Sequence, residues 1–146
     1  MTNNIDKEII ELFRNNNQKE QAFKILINTY SKPLYSQIRK ILISHEDSND
    51  VLQDTFIKIF KNLDRFRGDS ELFTWLYRIA TNEALNFINS KKRSYTFSSI
   101  SYEDSLVNKL TADEFFDGDE IQLKLQKAIL KLPTKQRLVF NMKYFE

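Results

Sequence analysis

"FRGDSELFTWLYRIATNEALNFINSKKR", residues 66 to 93, opens on a turn, continues as an amphipathic segment carrying the chain's one Trp, and closes on three cations. Phe73, Leu76, Ile79, Ala80, Ala84, Phe87 and Ile88 recur at spacings of three and four, the period of a helix with one buried stripe. Gly68 suits the left-handed position that ends a preceding helix, and Asp69 or Ser70 is placed to cap the next one. Trp75, Arg78, Asn82 and Asn86 recur at the same spacing on a second face. A helix buried all round has no use for those polar groups, and a solvated one has no use for the aromatics. Nucleic acid rewards both: phosphates favour Lys and Arg, base faces favour aromatic rings, and an amide can read a base edge. Phe66 and Arg67 stand on the turn, and Lys91, Lys92 and Arg93 read as a phosphate clamp at a helix C-terminus, where the dipole also favours cations. Taken singly, Trp75 and Tyr77 suit a core equally well, and the basic triplet suits a solvated helix end; the combination carries the nucleic-acid reading.

The rest of the chain sets the fold class. Its 146 residues include two Gly and two Pro, too few for the many tight turns of a sheet protein, so an all-α fold is expected. There is no Cys, hence no disulfide framework and no thiolate metal site. The start, "MTNNIDKEIIELF", lacks the basic and apolar regions of a signal peptide, and no apolar run approaches the roughly 20 residues of a membrane span. A cytoplasmic setting is the expectation. Net charge is +2, but its sign is segregated: Ser101 to Glu120 carries seven acids and one Lys, whereas Ile121 to Glu146 carries six cations and one acid. That pattern predicts a domain over residues 1–93, an acidic Ser-rich linker over 94–120, and a second helical module beginning at 121.

Helices are expected at Ile5–Asn16 and Gln18–Tyr30, with a third starting at Pro33, where a first-turn proline is tolerated. Ser44 is a candidate N-cap with Asp47 three residues on. The helix it opens runs towards Phe66 with Leu52, Phe56, Ile59, Phe60 and Leu63 on one stripe. A helix is expected from Tyr102 towards Phe115, then a short one from Ile121 and another after Pro133. The last two are too small to bury a core alone, so the sequence reads as stopping within a module.

At 100° per residue the helix after Ser44 has two further faces. One gathers Asp50, Gln53, Asp54, Ile57 and Lys61, an apolar centre with a polar rim, as protein contacts have. The other holds Val51, Thr55, Lys58 and Asn62. Asp50 and Asp54 at i, i+4 raise the question of a metal pair, but no His or Glu adjoins them in sequence to complete a shell.

"SNDVLQDTFIKIFKNLDRFRGDSELFTWLYRIATNEALNFINSKKR" (48–93) resembles the second region of the extracytoplasmic-function, sigma-E-like sigma factors of bacterial RNA polymerase. "LQKAILKLPTKQRLVFNMKYFE" (125–146) resembles the opening of their fourth region, ending before the recognition helix of its helix-turn-helix. The resemblance implies an alternative sigma factor without catalysis or cofactor, and with no small-molecule substrate. It implies that Asp50, Gln53 and Asp54 bind the clamp coiled coil of the polymerase's largest subunit, with the exposed Ile57 read above as the apolar centre of that contact. It also implies that Lys58, Asn62, Phe66, the loop Arg67, Gly68, Asp69 and Ser70, and Asn82 hold a flipped base of the single-stranded −10 element. Trp75, Arg78, Lys91, Lys92 and Arg93 complete the expected DNA surface, and an anti-sigma protein is the expected third partner. Two other classes compete. A helical interaction module would bind partners but not promoters. A metal-dependent nuclease would need more than one His and scattered Asp.

Overall fold

Apolar spacing sets the first four helices, and a side-chain cap, Ser44, opens the third. The structure, a computed structural model, describes residues 4–15, 17–68, 70–94, 101–112 and 120–144. These contain α1 (Asn4–Arg14), α2 (Lys19–Leu42), α3 (His45–Asn62), α4 (Leu72–Ser94), α5 (Tyr102–Thr111), α6 (Glu120–Leu130) and α7 (Thr134–Tyr144), with a 3-10 turn at Leu63–Arg65. The fold is all-α. Helices α2, α3 and α4 pack on one another, and α1 lies along α2.

One element differs from its sequence expectation. Pro33 does not start a helix; it lies inside α2, which runs unbroken for 24 residues. A mid-helix proline costs about 3 kcal/mol through the lost N–H and the clash with the carbonyl four residues back. Here the ring is exposed, while Ala22, Leu26, Tyr30, Leu34, Ile38, Ile41 and Leu42 form a buried stripe on both sides of it. Burying a Leu or Ile contributes roughly 1.5–3 kcal/mol each, so the stripe outweighs the proline and keeps the halves aligned.

The joint from α2 to α3 is tight. Ile43 adopts φ 68, the left-handed region a β-branched residue rarely enters. It is held there by its N–H donating to the Arg39 carbonyl (2.8 Å), by Arg39 Nε donating to the Ile43 carbonyl (2.6 Å), and by burial of its side chain. Ser44 then caps α3, its hydroxyl accepting from the Asp47 N–H at 3.3 Å.

The buried arc of α3 is wider than the expected stripe. Val51 and Thr55, expected beside Lys58 and Asn62 on an outer face, are buried, whereas Phe60 is 42% exposed. The reason is that α3 is gripped by α2 and α4 together. Thr55 is tolerated inside because its hydroxyl donates to the Val51 carbonyl at 2.7 Å. Phe60 instead closes the outer edge of the core, edge-on to Phe13 of α1 (5.7 Å) and Phe23 of α2 (5.1 Å).

Tyr102, Leu106 and Leu110 of α5, Leu130 of α6 and Leu138 of α7 belong to the same buried cluster as α1–α4. The helix expected to reach Phe115 is described to Thr111; residues 113–119 lie outside the described residues. Among the described residues no helix is long and apolar enough to cross a membrane.

Candidate nucleic-acid interface

Two outward surfaces arise from α3 and α4. On α3, Asp50, Gln53, Asp54, Ile57 and Lys61 are all exposed, opposite the buried arc, and Ile57 leaves 53% of its surface to solvent. Among the described residues no group of three or more His, Cys, Asp or Glu is arranged to hold a metal ion.

Lys58 and Asn62 sit on the flank of α3 that turns towards α4. Lys58 Nζ donates to Glu83 Oε1 at 2.7 Å, which places it beside the neighbour of Asn82. Asn62 Nδ2 donates to the Lys58 carbonyl at 2.8 Å, one helical turn back. Asn82, Arg78 and Asn86 are exposed. Their stripe continues, at 100° per residue, from Trp75 to Arg93, which is also exposed.

Phe66 ends the 3-10 turn, its N–H donating to the Leu63 carbonyl at 3.1 Å. Phe66 is 8% exposed, and its ring lies 5.4 Å from that of half-buried Trp75, tilted by 53°. The two aromatics therefore meet each other, and Trp75 is the more exposed of the pair. Arg67 and Gly68 follow, both exposed, with Gly68 at φ 82 as a left-handed turn requires. Ser70 is half-buried; Asp69, expected both as a cap and as a DNA contact, lies outside the described residues.

The basic triplet is not one clamp. Successive helical residues point 100° apart, so adjacency in sequence separates these side chains in space. Lys91 Nζ lies over the Phe87 ring at 5.3 Å. Lys92 Nζ donates to Thr134 Oγ1 (2.7 Å) and pairs with Glu103 (2.9 Å). Only Arg93 falls on the Trp75–Asn82–Asn86 stripe. Sequence reasoning named the cations of this surface but missed Glu83, Glu103 and Thr134, the groups they meet. Lys58 and Glu83 are 25 residues apart, and no periodicity within one helix reveals a pair between two.

The sequence matches the sigma-70 region 2 family over residues 26–94, which takes in most of α2 and all of α3 and α4. Relatives extend the likeness along the chain. The RNA polymerase sigma-H factor of Pseudomonas aeruginosa is 29% identical over an alignment covering all of this chain and 79% of the relative. The ECF RNA polymerase sigma factor SigW of Bacillus subtilis is 30% identical, with 87% of this chain and 72% of the relative aligned. The ECF RNA polymerase sigma-E factor of Escherichia coli is 40% identical over 60% of this chain and 44% of the relative. The α2–α4 unit is thus a sigma region 2 fold. The chain belongs to the ECF RNA polymerase sigma factors, a family of non-enzymatic transcription initiation factors.

Proposed function

We propose that this alternative sigma factor binds core RNA polymerase through the acidic face of α3 and takes up the single-stranded −10 promoter element on the α3–α4 flank. The observation that carries this is the separation of chemistries around α3. Asp50, Gln53, Asp54 and Ile57 are all exposed opposite the core, whereas Lys58 and Asn62 adjoin the Trp75–Arg93 stripe of α4. An apolar centre ringed by carboxylates suits a basic protein surface. Cations, amides and the part-exposed Trp75 ring suit an unpaired strand, whose phosphates and base faces are both open.

In this reading Phe66 and Trp75 form the wall against which an unstacked base rests. Asn82, with one donor and one acceptor set on its amide, reads that base's edge. Arg67, Gly68 and Ser70 border it, Arg78 and Arg93 meet phosphates, and Lys91 and Lys92 join them after rearrangement. Melting is the costly step, a few kcal/mol per flipped base, and polymerase binding helps to offset it. The same assignment makes residues 1–93 the polymerase and −10 domain, 94–120 an acidic connecting segment, and 121–146 the opening of a fourth region. An anti-sigma protein that covers both surfaces is the natural inhibitor of such a factor.

The test is base-specific binding. A strand selected from a randomised single-stranded pool by the wild-type chain should bind Asn82→Ala about tenfold more weakly, the loss expected of one good bidentate contact. Scrambled strands should lose little. Equal losses on both would remove Asn82 from base reading.

A further inference from the structure

The acidic stretch after α4 is not merely a spacer between two modules. Within it α5 buries Tyr102, Leu106 and Leu110 in the common core, which fixes the orientation of the helix. At 100° per residue Glu103 and Lys109 then fall on opposite edges of that buried stripe. Each finds a charge of opposite sign on the region 2 helices. Glu103 Oε1 lies 2.9 Å from Lys92 Nζ, and Lys109 Nζ lies 3.4 Å from Asp47 Oδ2.

Both partners adjoin the surfaces assigned above, Lys92 off the Trp75–Arg93 stripe and Asp47 beyond the N-terminal end of the acidic face. Lys92 belongs to the basic end of α4. Asp47 is two turns N-terminal to Asp54 and shares its side of α3. Lys109 is the only cation between Ser101 and Glu120, and it meets the acidic helix, while a carboxylate meets the basic one. This is charge complementarity at two points, not a general acidic screen.

The third component is α7. Arg137 is 2% exposed, and its Nη1 donates to the Ile41 carbonyl of α2 at 2.7 Å. Thr134, one turn earlier, accepts from Lys92. Burial alone would push the Glu103 carboxyl up. The hydrogen bond from Lys92, a backbone hydrogen bond and the charges of Lys92 and Arg137 outweigh it and hold the carboxyl below its ordinary value. Glu103 therefore answers to cations from both α4 and α7.

We propose that α5 is an intramolecular cap, whose Glu103 takes the place of a DNA phosphate on Lys92 and whose Lys109 takes the place of a polymerase cation at the end of the acidic face. The inference rests on the functional reading above and assigns its regulation: the free protein is closed, and binding of polymerase and DNA competes with α5. Arg137 fastens the closed form by tying α7 to the end of α2.

Because the chain has no Cys, Glu46→Cys and Asn108→Cys, both at exposed positions, give a spin-label pair flanking the Asp47–Lys109 contact. In the otherwise wild-type chain this pair should report one narrow distance. Combining Glu103→Gln with Lys109→Gln should lengthen and broaden it. The same double variant should bind both a short AT-rich single strand and core polymerase roughly three- to tenfold more tightly, the scale of two half-exposed ion pairs. Asp104→Asn removes an equal charge from the neighbouring exposed residue and should change neither measurement. If the double variant loses its helical circular dichroism, Lys109→Glu alone repels Asp47 without altering Glu103 or the buried stripe. An unchanged distance distribution, or unchanged affinities in an opened chain that does bind, would overturn the cap. A chain that opens as expected yet binds neither ligand would instead overturn the functional reading, and the cap's regulatory role with it.

Discussion

Lys58 Nζ and Glu83 Oε1 stand 2.7 Å apart, an ion pair that joins α3 to α4 across the surface proposed to hold DNA. The ammonium is half exposed and the carboxylate mostly covered, so the pair resembles a surface salt bridge on one side only. Its worth to stability is about 1 kcal/mol at most. Its effect on DNA is larger, because a cation already neutralised by a fixed carboxylate is less available to a phosphate. Glu83→Gln should therefore tighten binding to single strands severalfold at low salt. Lys58→Ala should weaken it and reduce the slope of log affinity against log salt by about 0.7. Fluorescence anisotropy across a salt series checks both. Opposite movements of affinity with near-equal melting temperatures are expected, and weakening by both variants would mean that the pair acts as scaffold.

The acidic face of α3 offers a cleaner separation of function from folding. Asp50 and Asp54 are exposed and lie opposite the buried arc. Replacing both with Ala should leave stability within about 0.5 kcal/mol, as surface changes usually do. Binding to core polymerase should fall by tenfold or more, and Ile57→Ser should deepen the loss by removing the apolar centre. Surface plasmon resonance against immobilised core enzyme, with urea melts alongside, distinguishes a lost contact from a lost fold. Unchanged affinity in the double variant would move the polymerase contact elsewhere.

What the sequence made legible follows from how local each signal is. Period placed α3 and α4 and capping opened α3, since Ser44, the apolar spacing and the Phe66–Gly68 turn act within a few residues. Pro33 misled because its local penalty is real while the compensation is tertiary: Leu34, Ile38 and Ile41 are buried against helices that a linear reading does not supply. The same holds for Val51 and Thr55, whose burial depends on α4 arriving beside α2. Lys91, Lys92 and Arg93 looked like one clamp because contiguity was read as proximity. Only the helix geometry and the sequence-distant partners Glu103 and Thr134 separate them.

Pro33 permits a direct check on that account. It is exposed, and its pyrrolidine leaves the Thr29 carbonyl without the usual N–H donor four residues on. Pro33→Ala restores the donor and removes the ring clash. Against this, the unfolded chain gains freedom worth about 0.4–1 kcal/mol. The net expectation is stabilisation by about 1–2 kcal/mol, read as a shift of the urea midpoint at constant slope. Destabilisation would imply that the bend imposed by the ring is required for the two halves of the stripe to pack.

Asp6 and Tyr30 supply a prediction in pH. The Tyr30 hydroxyl of α2 donates to the nearly buried Asp6 carboxylate of α1, and its ring stacks on Phe73 of α4 at 5.7 Å. Burial first, and then the Asp6 carboxylate, raise the Tyr30 pKa well above its ordinary 10.0. A raised folded-state pKa means that this group's contribution is complete below pH 10 and declines above it, because the unfolded chain ionises while the folded one does not. The loss is at most about 1.36 kcal/mol per pH unit. Tyr30→Phe leaves the Asp6 carboxylate without this donor and should cost about 1.5–3 kcal/mol at neutral pH. The difference between wild type and variant should stay level from pH 7 to about 9 and then narrow above pH 10, since the variant has no hydroxyl to titrate there. Denaturant melts of both proteins at stepped pH measure the difference. A gap that stayed constant through pH 11 would show that Tyr30 ionises equally in both states, and that the hydroxyl does not hold α1 to α2 as the geometry indicates.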